Sequence, residues 1–306
     1  MTGGGLPVWR SLLFVPVTAR RFVGGAARRG ADAIILDLED SVAGSEKARA
    51  RDLVAQAAEI VSRGGADVVV RINRPWRLAV RDLEAVVGPR VQALALPKVD
   101  SAEHVRAIAE IVDELEAERG MAAGTTRLVA MVETAAALFR IAEIARADPR
   151  LVGLNLGAED FALSAGMLPE AEGLLMPKQV CVFAARAAGI LPLGFIGTVA
   201  EFHDLDGFRA TIRRSRRLGF AGASVIHPNQ IAILNEEFRP CLGEVEHARR
   251  LLAAYDEALA KGVGAVTVDG RMIDEPVVER ARLLVEREAA IAAREAKMRE
   301  IATAAS

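Results

Sequence analysis

The chain has 306 residues, 52% of them hydrophobic, and its 39 Lys and Arg against 41 Asp and Glu give a formal net charge of -2. That length holds one large α/β barrel or two ordinary domains. The charge argues against a nucleic-acid-binding surface, and no apolar run approaches the roughly 18 residues that span a bilayer. Met1-Thr2-Gly3-Gly4-Gly5 carries neither the basic nor the apolar region of a secretory signal. Cys181 and Cys241 show no metal-ligand spacing, so a reduced cytoplasmic setting is expected.

Residues 1–9 are expected to be a disordered N-terminus. From Arg10 onward, short apolar runs alternate with longer helical stretches. Ser11–Val15 is closed by Pro16, Ala33–Leu36 by Asp37, Val68–Val70 by Arg71, and Ala93–Leu96 by Pro97-Lys98. Leu128–Val132 and Leu151–Leu156 follow, then Ile190–Leu193 and Ala223–Ile226. Such nearly continuous apolar strands suit a parallel sheet buried on both faces. Between the fourth and fifth runs, Val105, Ile108, Val112 and Leu115 share a helix face, after an N-cap at Ser101 and before Gly120. Eight such units predict an α/β (β/α)8 TIM barrel over 10–241, a fold of about 250 residues. The rival is an open doubly wound sheet, which the absence of Gly-x-Gly-x-x-Gly after the first strand weakens in its dinucleotide-binding form. Residues 242–306 change pattern: a helix from Glu246 to Leu259, a short strand at Ala265–Val268, a turn at Asp269-Gly270 and a long helix from about Pro276. This stretch is expected to be a C-terminal helical lid or oligomerisation segment, too small for a core of its own.

The fifth and sixth runs each deliver an acid just past the strand end, Glu133 and Asp160. A hard divalent cation such as Mg²⁺ is held by one or two carboxylates, with water and substrate in its other positions. Glu133 and Asp160 are read as that pair, against the alternative that both are ordinary loop acids facing water. In a barrel, residues following each strand share the C-terminal face, where barrel enzymes keep their sites. That face would collect Asp37, Glu39, Asp40, Arg71, Asn73, Lys98, Glu133, Asp160 and His227. Acids for a cation, with Arg and Lys for an anion, suit carboxylate chemistry. The alternative is a ring of salt bridges, with Asp37 and Asp40 the best candidates for that supporting role. His227 is read as a loop histidine bonded to backbone. Arg213, Arg214, Arg216 and Arg217 read as a solvated helix face, and Cys181 as a core residue.

An ordered set of motifs gives a sharper reading. Arg10-Ser11-x-Leu13-Phe14-Val15-Pro16, Leu36-Asp37-Leu38-Glu39-Asp40, Glu46-Lys47 with Ala50-Arg51, and Val70-Arg71-Ile72-Asn73 come first. Leu96-Pro97-Lys98, Gly157-Ala158-Glu159-Asp160, Leu218-Gly219-Phe220, Ile226-His227-Pro228-x-Gln230 and Asp269-Gly270-Arg271-Met272-Ile273-Asp274 follow in order. The set, from about Arg10 to about Pro276, resembles the HpcH/HpaI aldolase and citrate lyase β-subunit superfamily, on its citrate lyase β-like and malyl-CoA lyase-like branch.

The resemblance implies a (β/α)8 barrel, Mg²⁺, and homo-oligomers, commonly trimers or hexamers. It implies cleavage of a β-hydroxyacyl-CoA, of malyl-, citramalyl- or citryl-CoA type, to an acyl-CoA and a 2-oxoacid. Glu133 and Asp160 match its metal ligands, and Arg71 the arginine that steadies the enolate or carbonyl oxygen. Gly157 and Ala158 match the backbone that takes the oxoacid carboxylate, and Asp274 a catalytic acid on a lid that reaches a neighbouring subunit; Lys98, from the charged set at the mouth, is read as a further substrate-binding residue. The family commonly carries Pro-Gly after the first strand with a lysine in the next helix, and an Asp after the seventh strand. Here the residues are Pro16-Val17 with Gly24-Gly25, and Leu193-Gly194-Phe195-Ile196-Gly197. Arg20 and Arg21 are then expected to hold CoA phosphates. A malyl-CoA thioesterase, a CoA-independent hydroxy-acid aldolase and an accessory lyase subunit are the alternatives.

Overall fold

A computed structural model describes residues 5–199, 203–260, 262, 266–268 and 270–304. They fall into two compact units, 1–238 with 301–306, and 239–300.

The first unit is the expected barrel. Its strands are β1 (Ser11–Pro16), β2 (Ala33–Asp37), β3 (Asp67–Arg71), β4 (Ala93–Leu96), β5 (Arg127–Val132), β6 (Leu151–Leu156), β7 (Leu191–Leu193) and β8 (Ala223–Val225). All pair in parallel, each with its sequence neighbour, and β8 returns to β1. The β7–β8 seam closes through Leu193 and Gly222, whose carbonyl accepts the Gly194 N–H at 2.8 Å. Helices α1 (Arg20–Ala26), α2 (Lys47–Ser62), α3 (Trp76–Val86), α4 (Ala102–Glu118), α5 (Ala135–Leu138) and α6 (Ile141–Ala145) follow the first five strands. The rest are α7 (Ala158–Ala165) and α8 (Ala171–Ala188) after β6, α9 (Leu205–Arg217) after β7 and α10 (Ile231–Glu237) after β8.

Alternation along the strands explains why the runs read as continuously apolar. Leu12, Ile35, Val69, Ala95, Val129, Met131 and Leu193 fill the barrel interior, while Leu13, Ile34, Leu36, Val68, Val70, Leu94 and Leu128 face the helices. Both faces are largely dry, which favours apolar residues at either position; the polar exceptions Asn155 of β6 and Ser224 of β8 line the cavity described below. Ser101 caps α4, its Oγ accepting the His104 N–H at 3.2 Å, and Val105, Ile108, Val112 and Leu115 are buried as predicted. Gly120, just past this helix, has φ +63°, a left-handed turn that favours glycine.

The ordered chain starts earlier than expected. Trp9, placed by the sequence reading in a disordered terminus, is 1% exposed, and its Nε1–H donates to Asp67 Oδ2 at 2.8 Å. Its carbonyl lies so close to Gly222 that a Cβ there would sit 1.7 Å away, so the residue leading into β8 has to be glycine.

The second unit contains α11 (Leu242–Ala260), a hairpin of β9 (Val266–Val268) and β10 (Arg271–Ile273), and most of α12 (Glu275–Ala304). Ala265 and Asp269, of the expected strand and turn, lie outside the described residues. Contrary to the expectation of no core, Ala248, Leu251, Tyr255, Ile273, Val278 and Ala281 form a small buried cluster. Two helices and a hairpin offer enough facing apolar side chains to exclude water locally. Tyr255 Oη also donates to Glu275 Oε2 at 2.9 Å.

Candidate active site

The C-terminal ends of β2 and β3 carry one buried polar network. Asp37 and Arg71 are register partners, and Arg71 donates from Nε and Nη2 to the two Asp37 oxygens, each at 2.7 Å. Arg71 Nη1 also lies 3.0 Å from Glu39 and 3.5 Å from Asp40, and its guanidinium sits 4.8 Å above the Phe14 ring. Burial alone would push the Asp37 carboxyl up, but Arg71, Ser41 and the Glu39 N–H hold it below its ordinary value. For Glu39 burial prevails, and its carboxyl is raised. Lys47 Nζ donates to the carbonyls of Leu38 and Glu39, at 2.7 and 2.6 Å. Asn73 Nδ2 donates to the Leu38 carbonyl at 3.0 Å and to Asp82 at 2.7 Å. Lys47, Arg71 and Asn73, scattered in sequence, therefore clamp the one loop that carries Glu39 and Asp40.

A cavity of about 200 Å³ opens beside this network, lined by Phe14, Arg71, Met131, Glu133, Asn155, Gly157 to Asp160, Lys178 and Thr198, among others. Glu133 follows β5 and is 3% exposed. Its Oε2 is fully buried with no hydrogen-bond partner among the described residues. Burial first, and then the charge of Asp160, push its carboxyl up to about 8. A buried carboxylate oxygen without a donor is costly unless something cationic meets it. No cluster of three or more His, Cys, Asp or Glu ligands occurs among the described residues. Two carboxylates are enough for an ion that keeps water and substrate in its other positions. The donor set thus fits a hard divalent cation.

Against Glu133 lies the start of α7. Gly157 is its N-cap, and the Gly157 N–H reaches back to the Val132 carbonyl at 3.0 Å. The next N–H groups begin a helix and have no intrahelical acceptor, so they suit a small anion.

The structure brings together Arg71, Glu133, Gly157, Ala158 and Asp160 around one cavity. Lys98 stands apart from its wall. Its Nζ is held by Glu39 Oε1 at 2.5 Å and Asp40 at 3.4 Å, and its backbone has φ +50°. Arg21 lines a second, larger cavity of about 620 Å³ with Phe22, Arg29 and His227. Phe14, Arg71 and Val199 are common to both cavities. Arg20 is exposed and lines neither. Asp274 belongs to the second unit, where its carbonyl accepts the N–H groups of Val277 and Val278.

His227 Nδ1 accepts the Asn229 N–H at 3.3 Å, a backbone role. Arg213, Arg214 and Arg217 are exposed on α9, and Arg213 pairs with Glu237 at 2.7 Å. Cys181 is fully buried, which pushes its thiol up to about 12. Sequence reasoning missed Asn155, Thr198 and above all Lys178. Lys178 sits four residues after Leu174 and three before Cys181, on the buried stripe of α8. A lysine in phase with an apolar stripe was the available signal.

The family model of the HpcH/HpaI aldolase/citrate lyase matches residues 10–228. Citrate lyase subunit beta of Escherichia coli (strain K12) is 38% identical over 283 residues, covering 91% of this chain and 92% of that protein. A (3S)-malyl-CoA thioesterase of Cereibacter sphaeroides is 37% identical over 290 residues, covering 93% and 96%. Among solved structures, the protein CitE of Mycobacterium tuberculosis, in complex with magnesium, acetoacetate and coenzyme A, superposes with a TM-score of 0.72 at 30% identity. That match covers 94% of this chain and all of the other. With the barrel, the mouth network and the ordered motifs all in place, the chain belongs to the HpcH/HpaI aldolase/citrate lyase family and is an aldolase-type lyase.

Proposed function

We propose that the protein is a Mg²⁺-dependent lyase that cleaves a β-hydroxyacyl-CoA of malyl-, citramalyl- or citryl-CoA type to an acyl-CoA and a 2-oxoacid. The observation that carries this is the buried Oε2 of Glu133, unpartnered among the described residues, beside the Asp160 charge. That the related CitE protein was solved in complex with magnesium supports the same ion here.

Glu133 and Asp160 would hold the cation. When bound, it supplies a Lewis acid that lowers the cost of negative charge on the substrate oxygen. The chain's own residues do the rest. The N–H groups that open α7 receive the oxoacid carboxylate. Arg71, fixed by Asp37 and Glu39, presents a cation that cannot deprotonate to the thioester enolate oxygen. The hydroxyl proton passes to solvent water, the carbon–carbon bond breaks, and its electron pair remains on the enolate. Asp274, delivered by a neighbouring copy in a homo-oligomer, gives its carboxyl proton to the enolate carbon and regains one from solvent. The larger cavity, with Arg21 and Arg29 beside Phe22, suits the phosphates and adenine of CoA; Arg20 lies in the same helix.

The likeness to the malyl-CoA thioesterase favours one second reading, hydrolysis of the thioester. Purified protein with Mg²⁺ and malyl-CoA, citramalyl-CoA or citryl-CoA separates the two. The lyase yields oxoacid and acyl-CoA in equal amounts with no free thiol. Free CoA thiol with intact hydroxy acid would replace the lyase by the thioesterase. Cleavage only after adding an acyl-carrier partner would make the chain an accessory subunit.

A further inference from the structure

Two cations line the smaller cavity, and they differ in how their charge is met. Arg71 contacts three carboxylates, those of Asp37, Glu39 and Asp40. Lys178 is 4% exposed and contacts none among the described residues. Its Nζ donates to the carbonyls of Phe195 and Gly197 at 2.5 and 2.6 Å and lies 5.2 Å from the Phe195 ring. Two backbone carbonyls satisfy two of the three ammonium donors and leave one N–H and a full positive charge in the cavity wall. The nearby Glu159 carboxylate is engaged by the Thr198 hydroxyl. Burial accordingly pushes the Lys178 amine down to about 8, the response of a cation lacking a contacting counter-charge.

A lysine needed only to pin a loop would be an expensive choice, since a neutral donor makes the same bonds without burying a charge. The loop is already fixed by other means. Its Gly194 N–H is bonded to Gly222 and its Ile196 N–H to Ser215 Oγ at 3.0 Å. Gly194 and Gly197 have φ of +128° and +153°, so the chain there bends in a way that only glycine follows readily. The loop thus turns two carbonyls onto Lys178 and leaves its remaining donor for something in the cavity.

We propose that Lys178 is a specificity-determining residue whose ammonium receives a second carboxylate on the oxoacid half of the substrate, so that the oxoacid is a 2-oxo dicarboxylate. This rests on the lyase reading above, in which the start of α7 holds the first carboxylate. A small diacid is then read at both ends, by groups drawn from β5, β6 and α8.

The test is equilibrium binding of oxaloacetate and of 2-oxobutyrate to the full-length, Mg²⁺-loaded protein. These differ only by a carboxylate against a methyl at one end. A charge-assisted hydrogen bond predicts a preference for oxaloacetate of roughly 10- to 100-fold. Lys178→Met brings the two within about threefold by weakening oxaloacetate alone, and Lys178→Arg keeps the preference. A variant that weakens both acids equally would assign Lys178 to loop structure and overturn the proposal. Equal binding by the wild-type protein would overturn it without any variant, and would leave the lyase reading intact. Failure of the wild type to bind either acid would overturn both.

Discussion

Gly157 lies so close to Glu133 that a Cβ on it would sit 2.8 Å from Glu133 Cγ and 3.0 Å from Oε1. The glycine is therefore the packing surface of the metal-candidate carboxylate, and its φ of -71° asks for no glycine on backbone grounds. Gly157→Ala should tilt Glu133 away at a cost of about 1–3 kcal/mol. The expected result is Mg²⁺ binding weakened roughly tenfold with the barrel still folded. Unchanged affinity by calorimetry would mean that Glu133 moves without consequence.

Proton release should accompany the ion. With Glu133 raised to about 8 by burial and Asp160, its ion-free carboxyl is protonated at pH 6–7, and a bound cation requires the carboxylate. Mg²⁺ affinity should rise with pH and level off above about 8, with close to one proton released per ion at pH 6. Folded Glu133 holds its proton over the interval where the unfolded chain has lost it. Ion-free stability from this group therefore falls as pH rises from about 4.5 to about 8. Titrations in buffers of different ionisation enthalpy count the protons. Glu133→Gln should abolish the release and weaken binding and cleavage together.

Arg71 is tied to Asp37 by two bonds of 2.7 Å, a fork that lysine cannot reproduce. Arg71→Lys should fold and bind Mg²⁺, and lose roughly 10²–10³ in kcat through lost enolate stabilisation. Arg71→Met should also destabilise the fold, by about 3–5 kcal/mol, because buried carboxylates lose their partner. Near-normal turnover in Arg71→Lys would leave Arg71 a structural residue.

Asp274 is assigned a proton transfer, so Asp274→Asn should keep substrate affinity and slow turnover by roughly 10²–10⁴. The comparison is single-turnover cleavage beside equilibrium binding of the same acyl-CoA. Wild-type turnover would remove the proton role, and lost binding would recast Asp274 as a substrate contact.

His104 gives a pH response away from the site. It is 7% exposed, meets Trp76 edge-on with centroids 5.3 Å apart, and its Nδ1 has no hydrogen-bond partner among the described residues. Burial and then the Arg74 charge lower it from 6.5 to about 4, against the pull of Asp100. Between these values the unfolded chain binds the proton and the folded chain does not, so stability falls as pH drops from 6.5 toward 4. Urea midpoints across that window should decline, and His104→Leu should flatten the decline. An unchanged slope in the variant would assign it to other groups.

The barrel was legible because its strands are buried on both faces along most of their length, which forces nearly continuous apolar runs onto the sequence. The acids and bases that end those runs were legible for a related reason. A charge directly after an apolar strand has few places to go but the barrel mouth, and Asp37, Arg71, Glu133 and Asp160 stand there. The tertiary structure decided how those charges divide the work. Asp37 and Arg71 neutralise each other, Lys98 is drawn onto Glu39 and off the cavity wall, and Glu133 is left with an oxygen that no donor among the described residues meets. None of these pairings follows from spacing, because each joins residues from different strands whose side-chain ends meet only once the barrel closes. Lys178 shows the limit most clearly. Helical phase puts it on a buried stripe, yet only the fold of the Gly194–Gly197 loop turns two carbonyls onto its ammonium where it lines the site.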